Sequence, residues 1–87
     1  MLFCTLRVFP NPVESNLIIK FNLKEKKNLQ ISIYTLEGIN ILDLKFSDYS
    51  EGEITETLNL SKLNKGIYFI VVKSDRGEVT MQKIIKG

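Results

Sequence analysis

Eighty-seven residues fall short of the usual ~100 to 150 residue domain, so the chain has room for one small hydrophobic core. Apolar side chains make up 44% of it, alanine is absent and 21 residues are Ile, Val or Thr, a composition that disfavours disorder and a helical bundle and favours strands. A net charge of +2, no histidine, no tryptophan and a single cysteine, Cys4, argue against a nucleic-acid surface, His-based catalysis, a Cys or His metal centre and an internal disulfide.

Seven strands are expected. The first, residues 6–9, ends at Pro10-Asn11-Pro12, because proline offers no N–H to a sheet ladder, and it should lie at an edge. Asn16 to Leu23 alternates, with Leu17, Ile19, Phe21 and Leu23 on one face. The polar stretch Lys24-Glu25-Lys26-Lys27-Asn28 reads as a lysine-rich hairpin tip, of a kind that protects an edge more often than it binds an anion. Leu29, Ile31 and Ile33 form the third strand. Thr35-Leu36-Glu37-Gly38 then makes a hairpin loop in which glycine can take positive φ.

The return strand, residues 39–46, slips phase between Ile41 and Leu42, as a β-bulge would produce. Residues 47–53 read as the longest loop, and residues 54–60 as a weaker edge strand with Ile54, Leu58 and Leu60 in phase. Residues 67–72 are apolar on both parities and form the best core candidate, either covered on both faces or at a sheet centre. Ser74-Asp75-Arg76-Gly77 signals a turn. In the last strand Val79, Met81 and Ile85 share a phase, with Lys83 inside that phase and Ile84 outside it. Short strands at this spacing predict an all-β fold, a small seven-stranded immunoglobulin-like β-sandwich.

Few residues invite chemistry. Asp48, Glu51, Glu53 and Glu56 are close in sequence but lack the ladder of a calcium loop, and the expectation is a solvated loop with no metal and no cofactor. Asn59-Leu60-Ser61 fits a glycosylation sequon, a weak signal by itself. No spacing supports an enzyme built on Ser and Lys. Leu63-Asn64-Lys65-Gly66-Ile67-Tyr68 suggests a tyrosine corner, with the Tyr68 hydroxyl bonded to a backbone group a few residues upstream. No apolar run reaches the ~18 residues of a membrane-spanning helix, and residues 1–5 are too short for a signal peptide, so any export signal is expected on a longer parent chain.

An ordered set of motifs carries a resemblance: Val8-Phe9-Pro10-Asn11-Pro12, Leu17-Ile18-Ile19, Ile31-Ser32-Ile33-Tyr34 with Gly38, Leu58-Asn59-Leu60-Ser61-Lys62-Leu63, Gly66-Ile67-Tyr68-Phe69-Ile70-Val71-Val72 and Lys83-Ile84-Ile85-Lys86. Over about residues 8 to 86 the chain resembles the C-terminal sorting domain, type A, of the type IX (Por) secretion system of Bacteroidetes. The resemblance implies a non-catalytic address label at the end of a larger cargo protein. Such cargo crosses the periplasm and the outer membrane to be secreted or held at the cell surface. Residues 1–7 would then end a linker from the cargo and residues 8–87 form the sorting domain.

The implied partners are the outer-membrane translocon and a sortase-like cysteine protease, which usually removes the domain by cutting ahead of it, within residues 1–7 if the site is present. Nucleic acid is not among them. The resemblance puts translocon recognition on Lys83, Ile84, Ile85 and Lys86, and makes Pro10, Asn11, Pro12, Gly38, Gly66 and Tyr68 structural motif residues. Gly87 extends past the family's terminal basic residue, and with no cargo ahead of it the chain is expected to be a piece of a longer protein. The alternative is a generic immunoglobulin-like adhesion or carbohydrate-associated module that binds through loops such as residues 47–53.

Overall fold

The computed structural model describes residues 4–44 and 46–87, and every regular element among them is a strand. The strands are β1 (Thr5–Phe9), β2 (Asn16–Leu23), β3 (Lys27–Thr35), β4 (Asn40–Asp43), β5 (Ser47–Tyr49), β6 (Gly52–Asn59), β7 (Gly66–Ser74) and β8 (Val79–Lys86). They form two antiparallel sheets, one ordered β1-β2-β6 and the other β4-β3-β7-β8, with β5 also paired to β3. The arrangement is the all-β sandwich expected, with eight strands in place of seven. Met1, Leu2 and Phe3 of the expected linker and Lys45 of the expected return strand lie outside the described residues. Thr5, Leu6 and Arg7, also assigned to that linker, pair in β1 with Asn22, Phe21 and Lys20.

The core is the sum of the inward phases. β2 contributes Leu17, Ile19, Phe21 and Leu23, and β3 contributes Leu29, Ile31 and Ile33, all buried. Each such side chain withdrawn from water favours folding by about 1.5–3 kcal/mol. β1 and β6 flank β2 and are the edges of their sheet, as predicted for both. Leu23 and Leu29 enter the core from different sheets, so residues 24–26 cross between sheets and are not the hairpin tip expected. The predicted hairpin at residues 35–38 is present: Gly38 takes φ +89° and donates its N–H to the Thr35 carbonyl at 2.9 Å. Ile33 pairs with Leu42 and Tyr34 with Asn40, which leaves Ile41 as the extra residue of a bulge where the phase slip predicted one.

The eighth strand lies within the segment expected to be the longest loop. β5 pairs Ser47, Asp48 and Tyr49 with Leu29, Asn28 and Lys27, along the edge of β3 that β4 occupies further on. Asn28 Nδ2 donates to Asp48 Oδ1 at 3.0 Å, and the Tyr49 ring meets Phe21 edge-on at 5.6 Å between centroids. Pairing and one aromatic contact thus order three residues whose own apolar content predicts nothing.

β7 lies between β3 and β8 at the centre of the larger sheet. Tyr68, Ile70 and Val72 face the core, and Phe69 and Val71 stand on the opposite face beside Lys83 and Met81 of β8. The apolar phase of the last strand faces outward. Val79, Met81 and Ile85 are exposed, while Thr80, Ile84 and Lys86 are buried, with Ile84 at 0% exposure. The physical reason is position. β8 is the rim of a sheet opposed by only three strands, so its inner face requires one large apolar residue, and its apolar alternation matches Ile67 and Val71 across β7 on the outside.

Candidate functional site

The residues the sequence singles out gather at one end of the larger sheet. Thr35, the last residue of β3, pairs with Tyr68 on β7, and Tyr68 pairs with Ile84 on β8. The Gly38 turn, the segment before Gly66 and the C-terminal tail therefore share that end. Gly66 pairs with Lys86, and a Cβ there would lie 3.9 Å from the Tyr68 ring. Tyr68 donates its hydroxyl to the Asn64 carbonyl at 2.7 Å, the tyrosine corner expected from residues 63–68. The ring is buried with its one polar atom satisfied, which spares the cost of an unpaired phenol.

Pro10, Asn11 and Pro12 approach the same end from the smaller sheet, both prolines following cis peptide bonds. Three hydrogen bonds join this loop to the outer edge of β8. Ile85 N–H donates to Asn11 Oδ1, Val13 N–H to the Ile85 carbonyl and Gly87 N–H to the Val13 carbonyl, each at 2.8 Å. Val13 bridges Lys86 in parallel, and its side chain is fully buried. Val13 is the neighbour of the tail that sequence reasoning missed. The available signal was a lone apolar residue directly after Pro12 in an otherwise polar stretch.

The four tail residues divide by face. Ile84 is enclosed in the core, and Lys86 is buried with Nζ donating to the Gly87 carbonyl at 3.0 Å. Lys83 and Ile85 point outward, in one row with Val79 and Met81. The outward residues of β7 and β8 include two cations, Lys73 and Lys83, and no carboxylate. Lys73 is occupied by Tyr34, donating to its hydroxyl at 3.1 Å and lying 5.5 Å from the ring centroid.

The other sequence candidates do not converge. Asp48 receives Asn28, Glu53 pairs with Arg7 at 3.3 Å and Glu56 lies beside Tyr49, whose phenol is pushed up by burial first and by that carboxylate second. Among the described residues no group of three acidic or thiol side chains is placed to hold a metal ion. Of the lysines in residues 24–27, Lys27 is bonded to Glu78 at 2.8 Å, and that bond is the main cause raising its pKa and lowering that of Glu78. Asn59 Oδ1 accepts the Ser61 N–H at 2.9 Å, closing a turn on the sequon. Cys4 is buried, and burial pushes its thiol up.

Comparison with known families matches residues 7–87 to the secretion system C-terminal sorting domain. No curated protein matches the chain. With β2 to β8, the last three residues of β1 and the clustered tail end inside the match, the chain belongs to the type IX secretion system C-terminal sorting domain family.

Proposed function

We infer that the chain, as a member of this family, serves as a C-terminal secretion sorting signal, a type of domain fused to cargo that is exported through the outer membrane to the medium or the cell surface. We propose that it does this without catalysis, by presenting the end of β8 to the outer-membrane translocon, and that a sortase-like cysteine protease then separates cargo from domain. The tail segment Lys83, Ile84, Ile85 and Lys86 is the recognised element in this reading, with Lys83 and Ile85 as its accessible side chains. Ile84 serves it as the core anchor and Lys86 as the buried end. The family match over residues 7–87 carries the proposal. The outward placement of Lys83 supports it, since a solvated cation beside exposed apolar side chains suits a partner surface bearing carboxylates.

Removing the whole tail is a poor test, because it would take Ile84 out of the core. The informative substitution is Lys83→Glu, on an exposed side chain, in a reporter that carries its own periplasmic signal peptide and ends in this domain. In a host with the secretion system, the unmodified fusion is expected at the cell surface or in the medium and the variant in the periplasm. Equal delivery of both, with the variant folded, would remove the tail from the recognition step. A fusion of unaltered size on arrival outside would exclude the proteolytic step.

A further inference from the structure

The outer edge of β8 is treated differently along its length. On the side turned away from β7, Ile85 and Gly87 have their backbone groups taken by Asn11 and Val13, through the three bonds of 2.8 Å. By the two-residue period of a strand, the same edge carries the backbone groups of Val79, Met81 and Lys83, and among the described residues no loop pairs with these. Chain ends ordinarily fray unless something ties them down. Here the tie comes from 74 residues earlier in sequence, and it is anchored, since Val13 is fully buried and Lys86 is folded in beside it.

We propose that residues 10–13 are a clasp that keeps the C-terminal tail docked as a strand, with Asn11 as its positioning residue. This rests on the reading above that the tail is what the translocon recognises. The machinery then meets an ordered strand end displaying Lys83 and Ile85, and not a loose peptide offering all four side chains. The asparagine suits the task because its amide oxygen accepts the Ile85 N–H on an edge where the residues on either side of it, both prolines, bring no donor of their own. It also closes the last rung of the edge to strand addition.

The test is amide hydrogen exchange by NMR on the 87-residue chain, combined with delivery of the fused reporter. In Asn11→Ala the Ile85 amide should exchange about 5- to 10-fold faster while the amides of Ile31 and Ile70 keep their protection, as loss of one hydrogen bond at a strand end implies. Asn11→Asp retains an oxygen acceptor and should restore both the protection and the delivery that alanine loses. Unchanged exchange at Ile85 in Asn11→Ala overturns the clasp. Faster exchange with undiminished delivery overturns the positioning role, because the tail would then be read after release.

If Asn11→Ala fails to fold, Gly87→Pro removes the N–H given to Val13 while leaving the loop's own residues unchanged. It should loosen the Ile85 and Val13 amides, and protection left intact there would again sink the clasp. Failure of the functional reading is separate: it shows as normal delivery by Lys83→Glu, whatever the exchange rates.

Discussion

β2 and β8 are both eight residues long and both antiparallel to their neighbours, yet they use their alternation in opposite ways. β2 lies between two strands, and its apolar phase is its buried phase at all four positions. β8 lies at a rim, and its inward phase is Thr80, Gln82, Ile84 and Lys86, while Val79, Met81 and Ile85 face outward. An apolar alternation therefore identifies a strand without fixing which face it turns to the core. Location in the sheet decides that, and a strand whose exposed face is the more apolar one is poised for a partner.

The largest effects test the buried phase of each strand. Phe21→Ala on β2 should cost about 3–5 kcal/mol, close to the whole stability of a domain this size, so denaturant titration is expected to find it largely unfolded. Ile84→Ala should cost about 2–5 kcal/mol by the same measurement, because Ile84 is as enclosed as the β2 residues despite its exposed sequence neighbours. A loss below about 1 kcal/mol at Ile84 would mean that β8 does not turn this face inward. Next in size is Tyr68→Phe, opposite Ile84. Deleting the hydroxyl given to the Asn64 carbonyl should cost about 1 kcal/mol and lower Tm by about 4–8 °C.

The first turn into β8 supplies a pH test. Glu78 is held below its ordinary value of 4.5 chiefly by its bond from Lys27, and Lys27 is held above 10.5 chiefly by the same bond. The carboxylate's contribution is present above pH 4.5 and disappears as pH falls through its lower folded value. The ammonium's contribution is present below pH 10.5 and disappears as pH rises through its higher folded value. The pair's contribution should thus be flat from about pH 5 to about pH 10 and fall on both sides, while the buried Cys4 thiol, pushed up from 9.0, adds an alkaline fall that begins nearer pH 9 and persists in Glu78→Gln. Glu78→Gln should shrink both limbs, leaving an acid limb from Asp43, whose carboxyl is held low first by the Ser32 hydroxyl and then by Asn40. An unaltered profile in Glu78→Gln would show that the pair does not tie β3 to the turn.

Local patterns carried much of this fold. The β2 phase, the Gly38 turn, the bulge at Ile41 and the bond from Tyr68 to its own entry segment each involve residues near one another in sequence, so spacing and residue type sufficed. Three features depend on residues far apart, and no local pattern announces them. β5 is ordered by pairing with Lys27, Asn28 and Leu29, and the inward face of β8 is set by which strand lies opposite. The contact of Asn11 and Val13 with the tail joins the two ends of the chain. The sorting motifs were legible as an ordered set. Their assembly at one end of the larger sheet was not, because it follows from the Thr35, Tyr68 and Ile84 register.

The smallest expected effect separates the two strands most cleanly. Met81 occupies an apolar phase broken only by Lys83, and a reading from alternation alone would assign Met81→Ser a core penalty of about 2–5 kcal/mol. In the sandwich Met81 is 58% exposed beside Val71 on the outer face, so the same change should stay within about 0.5 kcal/mol. Denaturant midpoints with unchanged slope, measured beside Ile84→Ala, decide between the two readings. A near-neutral Met81→Ser with a costly Ile84→Ala fixes the face of β8 in solution, because no single burial phase places both residues inside. It also leaves the exposed apolar row with no role in folding to explain it, which is the condition under which that row is free to serve a partner.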